Sequence, residues 1–263
     1  MLTPTDIKIY TDLANHMADC SGEVVRRYFR TSFAVQDKAD ASPVTIADRE
    51  AEETLRALLA TERPDDGVWG EEFGASNTDR DLVWVLDPID GTRSFAGGKP
   101  LFGTLIALLY RGEPVLGVID QPILHERWVG ADGIGTYFNG SPAATRRCAG
   151  IEEAIASLSP YPFPEGGDDI LAPYRVVAQR VRTTNLGGDC YVYGLVASGH
   201  LDLVIENDLK LYDYAALVPI VRNAGGVMTD WRGGALGLRS GGNVVAAGDA
   251  RVAQAVRTLL EDY

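Results

Sequence analysis

A chain of 263 residues can bury a large core, and 46% hydrophobic against 23% charged residues is the balance of a globular protein, not of a disordered or collagen-like one. A formal net charge of −13 argues against nucleic acid or an anionic membrane surface as partner. The three cysteines, Cys20, Cys148 and Cys190, lie far apart with no CxxC pair, so neither a disulfide framework nor a thiolate zinc site is suggested. Residues 1–30 carry no apolar leader core and no window approaches bilayer length, so the expected location is the cytoplasm.

In chain order, residues 5–30 predict a long amphipathic helix, with Ile9, Leu13, Met17, Val24 and Tyr28 near helical spacing and Thr3-Pro4 as its start. An extended piece at 33–35 and a polar loop at 36–43 lead to a second helix over 47–59. Asp48 falls in its first turn, where an acidic side chain suits the macrodipole, and pattern alone favours that reading. A strand at Val68-Trp69 ends in the acidic pair Glu71-Glu72, flanked by Gly70 and Gly74. A neighbouring strand over 82–86 would finish in Asp87, bringing two carboxylates from different segments to one point. Residues 101–110, 114–120 and 127–129 read as strands of an antiparallel meander, with turns at Arg111-Gly112 and Asn139-Gly140. The polar, Ala-rich stretch 141–150 marks the domain boundary.

The second half alternates strands and helices, which favours an α/β layer. Strands are predicted at 154–158, 201–205, 227–230 and 244–247. Helices are predicted at 172–182, 191–198, 212–223 and 252–260, with a Pro-rich loop over 159–167. Asp213 stands at the start of the 212–223 helix, where a capping role is the commoner reading.

Chemistry concentrates in residues 84–95, WVLDPIDGTRSF. The apolar run emerges as a strand, Pro88 halts it, and Asp87 is left at the edge of the core. Asp90 follows three residues later, and Gly91-Thr92 offers a turn and a helix start whose N–H groups suit a phosphate. Lys and Arg are scarce around this motif, so in an acidic protein acting on phosphate the positive charge would come from metal ions. Glu71, Asp87, Asp90 and Asp213, with the Ile89 carbonyl, supply a hard-cation number of oxygen donors.

GEE at 70–72, DPIDGT at 87–92 and YDYAA at 212–216 resemble the inositol monophosphatase superfamily of Mg2+-dependent, lithium-sensitive phosphatases, a likeness that spans almost the whole chain. The resemblance implies an α/β fold, a layered αβαβα sandwich. Residues 1–140 would form an α+β layer carrying most metal ligands, and 141–263 an α/β layer carrying Asp213 and the substrate contacts. It also implies a cytoplasmic homodimer. Glu71, Asp87 and the Ile89 carbonyl would hold a first Mg2+, and Asp87, Asp90 and Asp213 a second. Relatives carry a third, weaker ion near Glu71. Asp90, Gly91 and Thr92 would bind phosphate. Thr92 paired with Asp48, together with Glu71, would activate the attacking water, with no covalent phosphoenzyme.

The stretches 97–109, 115–130, 187–206 and 209–221 resemble the histidinol-phosphate phosphatase branch, which hydrolyses L-histidinol phosphate in histidine biosynthesis. An inositol-1-phosphate phosphatase, or a member of broad specificity, is the alternative. A non-enzymatic metal-binding protein is disfavoured because Thr92 and Asp48 are both present. Histidinol phosphate carries an ammonium, which favours carboxylates opposite the phosphate end, and Asp189 and Glu206 are the candidates. Asp189 reads equally well as a loop or N-cap residue. Arg93 and Asp213 are further substrate contacts, and Lys38 falls where the family carries a lysine near the substrate entrance. His16, His125 and His200 show no ligand spacing, and Trp69, Trp84, Trp128 and Trp231 read as core.

Overall fold

A computed structural model describes residues 2–31, 35–37, 43–160 and 168–263, with backbone alone at 35–37, 43–45, 168 and 169. Lys38, part of the extended piece at 33–35 and most of the loop at 159–167 lie outside the described residues.

Helix α1 (Pro4–Tyr28) starts where Thr3 and Asp6 cap each other reciprocally: Thr3 N–H donates to Asp6 Oδ2 at 2.8 Å, and Asp6 N–H to Thr3 Oγ1 at 3.2 Å. The ribbon β1 (Val35–Asp37) and β2 (Pro43–Thr45) leads into α2 (Ile46–Glu62). An eight-stranded sheet follows, built from β3 (Gly67–Gly70), β4 (Gly74–Ser76), β5 (Leu82–Asp90) and, after the short helix α3 (Thr92–Ala96), β6 (Gly103–Tyr110), β7 (Glu113–Gln121), β8 (Glu126–Ala131), β9 (Gly135–Phe138) and β10 (Ser141–Ala143). Its order is β10-β9-β8-β7-β6-β5-β3-β4, antiparallel except for the parallel pair β3 and β5.

The second sheet has the order β12-β11-β13-β15-β14. Its strands are β11 (Ile155–Ser159), β12 (Thr183–Leu186), β13 (Leu203–Glu206), β14 (Val227–Asp230) and β15 (Val244–Ala247). Helices α4 (Asp168–Ala178), α5 (Tyr191–Ala197), α6 (Leu211–Tyr214), α7 (Leu217–Asn223) and α8 (Ala250–Leu259) complete this half.

Period-two alternation in the strands sets the layers. Trp84 and Leu86 point toward α1 and α2, packing with Met17, Leu55 and Leu59. Val83 and Val85 point the other way, into a middle layer of α5, α6 and α7, where Tyr193, Leu217 and Ile220 meet them and Val204 and Ala246 of the second sheet. The far face of that sheet, Ala156, Leu203 and Ile205, is covered by Tyr174 and Val177 of α4 and Val252 and Val256 of α8. The order is therefore helices, sheet, helices, sheet, helices: the αβαβα sandwich. No helix among the described residues is long and apolar enough to cross a membrane.

Several local expectations need correction. Pro88 does not end its strand; β5 runs on to Asp90, and the ladder with β6 shifts register between Asp87 and Asp90. Proline lacks the N–H a ladder needs, and a bulge is where that loss is tolerated. Ser141–Ala143 is an edge strand paired to β9, not a connection. Thr183–Leu186 is also an edge strand, exposed at all four residues. The 172–182 helix is instead Asp168–Ala178. The single helix at 212–223 is two, α6 and α7, because Pro219 has no N–H to give the Ala215 carbonyl. Of the tryptophans, Trp84, Trp128 and Trp231 are buried, and Trp69 is partly so.

Candidate active site

Parallel strands end at the same edge, and β3 and β5 are the parallel pair within this sheet. Gly70 is in register with Leu86, and the Glu71 N–H donates to the Leu86 carbonyl at 3.1 Å, so Glu71 lies beside Asp87. Asp87 continues the Val83, Val85 face of β5 toward the middle layer and is buried. In the bulge, Thr104 Oγ1 donates to the Pro88 carbonyl at 2.8 Å and the Ile89 N–H to Asp87 Oδ1 at 3.1 Å. Gly91, in the left-handed region at φ +88°, then turns the chain into α3.

The middle layer completes the cluster. Asp213, in α6, accepts the Lys210 N–H on Oδ2 at 2.6 Å, and Asp90 accepts the Cys190 N–H on Oδ2 at 2.6 Å. Oxygens of Asp87, Asp90 and Asp213 all lie within 4.8 Å of one another. Burial raises the Asp87 carboxyl well above the ordinary range, and the charges of Glu71, Asp90 and Asp213 raise it further. Asp90 is raised by burial and then by Asp189 and Asp213. Asp213 is pushed up to about 7, mainly by burial, against the Lys210 N–H that favours its charged form. Buried and half-buried carboxylates that repel one another and offer only hard oxygens fit a divalent cation of the Mg2+, Ca2+ or Mn2+ type. The Ile89 carbonyl lies 3.1 Å from Thr92 Oγ1.

Asp48 is wholly buried, and Thr92 Oγ1 lies 3.2 Å from its Oδ1. The macrodipole reading of Asp48 is therefore insufficient, because a side chain serving the helix end alone would face solvent. Asp189 is not a cap either: Cys190 occupies the N-cap of α5 with no side-chain cap bond. The Asp189 backbone is left-handed at φ +47°, and its Oδ2 accepts the Ser94 hydroxyl at 2.6 Å. It packs on Gly91 so closely that a Cβ there would sit 2.7 Å from its carboxyl. Burial raises Asp189, while Ser94, Arg93 and Lys99 oppose the rise. Glu206 ends β13 and accepts the Tyr193 hydroxyl at 2.6 Å. Burial pushes it up to about 7 against that bond, with Asp189 and Asp213 adding to the rise.

One cavity of about 570 Å³ opens on Glu71, Asp90, Thr92, Asp189, Glu206 and Asp213, and Gly91 and Arg93 also line it. A second cavity of about 720 Å³, between α1 and strands β7 to β9, lies apart from the acidic cluster. There Arg127 pairs with Asp19 and Asp120, at 2.8 and 2.7 Å. Ser94, Tyr193 and the Cys190 N–H were not legible as site groups, since each acts through a contact between segments far apart in sequence.

Similar proteins carry the same framework. The chain is 46% identical to the bifunctional phosphatase IMPL2 of Arabidopsis thaliana, over 99% of this chain and 77% of that one. It is 39% identical to a histidinol-phosphatase of Chlorobaculum parvum, over 84% and 85%. An inositol monophosphatase from Zymomonas mobilis superposes with a TM-score of 0.87 at 47% identity, over 97% of this chain and 98% of that one. With the inositol monophosphatase family model matching residues 7–261 around this acidic cavity, the chain belongs to that family of metal-dependent phosphatases.

Proposed function

We propose that this phosphatase hydrolyses L-histidinol phosphate to L-histidinol and inorganic phosphate, with Mg2+ as its cation. The observation that carries the substrate choice is the pair Asp189 and Glu206, one half-buried and one buried carboxylate in the same cavity beyond those needed for a cation. An inositol ring offers only hydroxyls, whereas histidinol offers an ammonium, which such carboxylates favour. The similarity to a protein named histidinol-phosphatase supports the same reading.

In this proposal Glu71, Asp87, Asp90, Asp213 and the Ile89 carbonyl hold two cations. The ions would supply charge neutralisation at the phosphate and leaving oxygen, and acidity to the attacking water. Thr92 Oγ1, directed at Asp48, keeps its lone pairs for a water proton, so the pair orients the nucleophile and draws the proton away. The N–H groups of Gly91 and Thr92 at the start of α3 receive the phosphate oxygens. Asp189, Glu206 and Arg93 face the alcohol part of the substrate.

Inositol-1-phosphate is the second reading, favoured by the likeness to the Zymomonas mobilis inositol monophosphatase. Phosphate release from both esters, with Mg2+ and with EDTA, separates the two. The proposal expects higher kcat/KM on histidinol phosphate and loss of activity on chelation. A higher value on the inositol ester would overturn the substrate, and EDTA-resistant activity would overturn the cation.

A further inference from the structure

Helix α2 carries two wholly buried carboxylates one turn apart, Asp48 and Glu52, on a single face. Asp48 reaches Thr92. Glu52 reaches the turn where the chain leaves β3. The last ladder bond of that strand is made by the Glu71 N–H, and the next two N–H groups turn to Glu52 instead. Glu72 N–H donates to Oε2 at 2.7 Å, and Phe73 N–H to Oε1 at 3.3 Å. Arg56, one turn further along α2, donates Nε to Glu52 Oε1 at 2.7 Å and also bonds the Gly74 carbonyl. Gly70 completes the clamp, because a Cβ there would run into the Glu52 carboxylate.

We infer that Glu52 is a positioning residue for the cation site, acting through the backbone that carries Glu71. The inference rests on the metal-binding role proposed for Glu71. Residue 71 is fixed on both sides, by its own N–H on Leu86 and by the following N–H on Glu52, so its side chain is delivered beside Asp87. The Glu52 side chain is buried with a guanidinium and two N–H donors around its oxygens, an arrangement that holds the group in place. Groups that orient a ligand from behind change metal affinity when removed, by about 10- to 100-fold. One helix thus organises both parts of the reaction: Asp48 the water-orienting hydroxyl, Glu52 the ligand-bearing turn.

The test titrates metal-free wild type, Glu52→Gln and Arg56→Met with Mn2+, reading the free ion by electron paramagnetic resonance. The melting temperature of each metal-free protein is recorded alongside. Glutamine keeps the size of Glu52 but turns an NH2 group toward a backbone N–H. The expected result is a cooperative transition in both variants and an Mn2+ Kd raised about tenfold or more. The exposed neighbour Glu53, changed to Gln, should leave the Kd unaltered. A lowered melting temperature with wild-type Mn2+ affinity would make Glu52 merely structural and overturn the inference. If Glu52→Gln does not fold, Arg56→Met decides by the same criterion. Failure of the underlying reading looks different: Glu71→Gln would then bind Mn2+ as tightly as wild type.

Discussion

Replacing Asp213 by asparagine should stabilise the metal-free enzyme at alkaline pH while removing its response to cations. Asp213 is pushed from the ordinary 3.8 up to about 7 in the folded chain. A carboxyl raised in this way contributes stability that is fully present below its unfolded value and lost as pH rises through about 7. At ~1.4 kcal/mol per pH unit, that displacement sets a ceiling of ~4 kcal/mol. Asp213 is partly open to the cavity, and solvent screening lowers the figure to about 2 kcal/mol. Asparagine keeps an oxygen for the Lys210 N–H, so the substitution removes the charge without stranding that donor. Metal-free wild type should therefore lose ~5 °C of melting temperature relative to Asp213→Asn between pH 5 and pH 8. Saturating Mg2+ should reverse the order, because wild type gains binding free energy that the variant lacks. Thermal melts read by circular dichroism at both pH values, with and without Mg2+, test this. Parallel pH curves for the two proteins would refute the claim that the cation relieves the cost that burial and, to a lesser degree, Glu71 impose on a charge at Asp213.

Two further substitutions separate recognition from chemistry. Asp189→Asn should lower kcat/KM for histidinol phosphate by about 10- to 100-fold and leave a neutral phosphate ester nearly unaffected, because one charge-assisted contact is lost. Equal losses on both esters, measured by phosphate release, would assign Asp189 to structure alone, through its bond to Ser94. Thr92→Val should lower kcat by about 100-fold or more with KM little changed, since it removes the hydroxyl that Asp48 orients. A kcat within twofold of wild type would take the pair out of the mechanism.

How legible each feature was in the sequence follows from what its residues must satisfy. Helix α1 and strands β5 to β8 are long and half or wholly buried, so their apolar periods of 3.6 or 2 are written plainly. Strands β4 and β12 are short, lie at sheet edges and are exposed at every residue, so no burial pattern marks them. The DPID segment is legible as acidic, but Pro88 pointed to a strand end, because a bulge that forgives a missing N–H leaves no trace in one sequence. Glu52 is the clearest case of an unreadable residue. Within a helix rich in Glu, Arg, Ala and Leu, a buried carboxylate looks like one more solvated charge, and only the turn arriving from β3 distinguishes it.

On the proposed reading, the layering sets the cation-binding edge and most of the substrate side on different elements. Glu71, Asp87, Asp90 and Thr92 all hang from the first sheet and the turns that leave it, braced from behind by α2. Asp213 and Asp189 come from the middle layer, and Glu206 from the second sheet. Apart from Arg93, the side of the cavity proposed to face the alcohol is thus built on elements separate from the braced acidic edge, joined to it through the Cys190 N–H on Asp90 and the Ser94 hydroxyl on Asp189. A substitution at Glu206 or Tyr193 reaches the substrate side without touching α2 or the β5 bulge. One at Ser94 or Cys190 crosses the joint, and there recognition and cation geometry should change together.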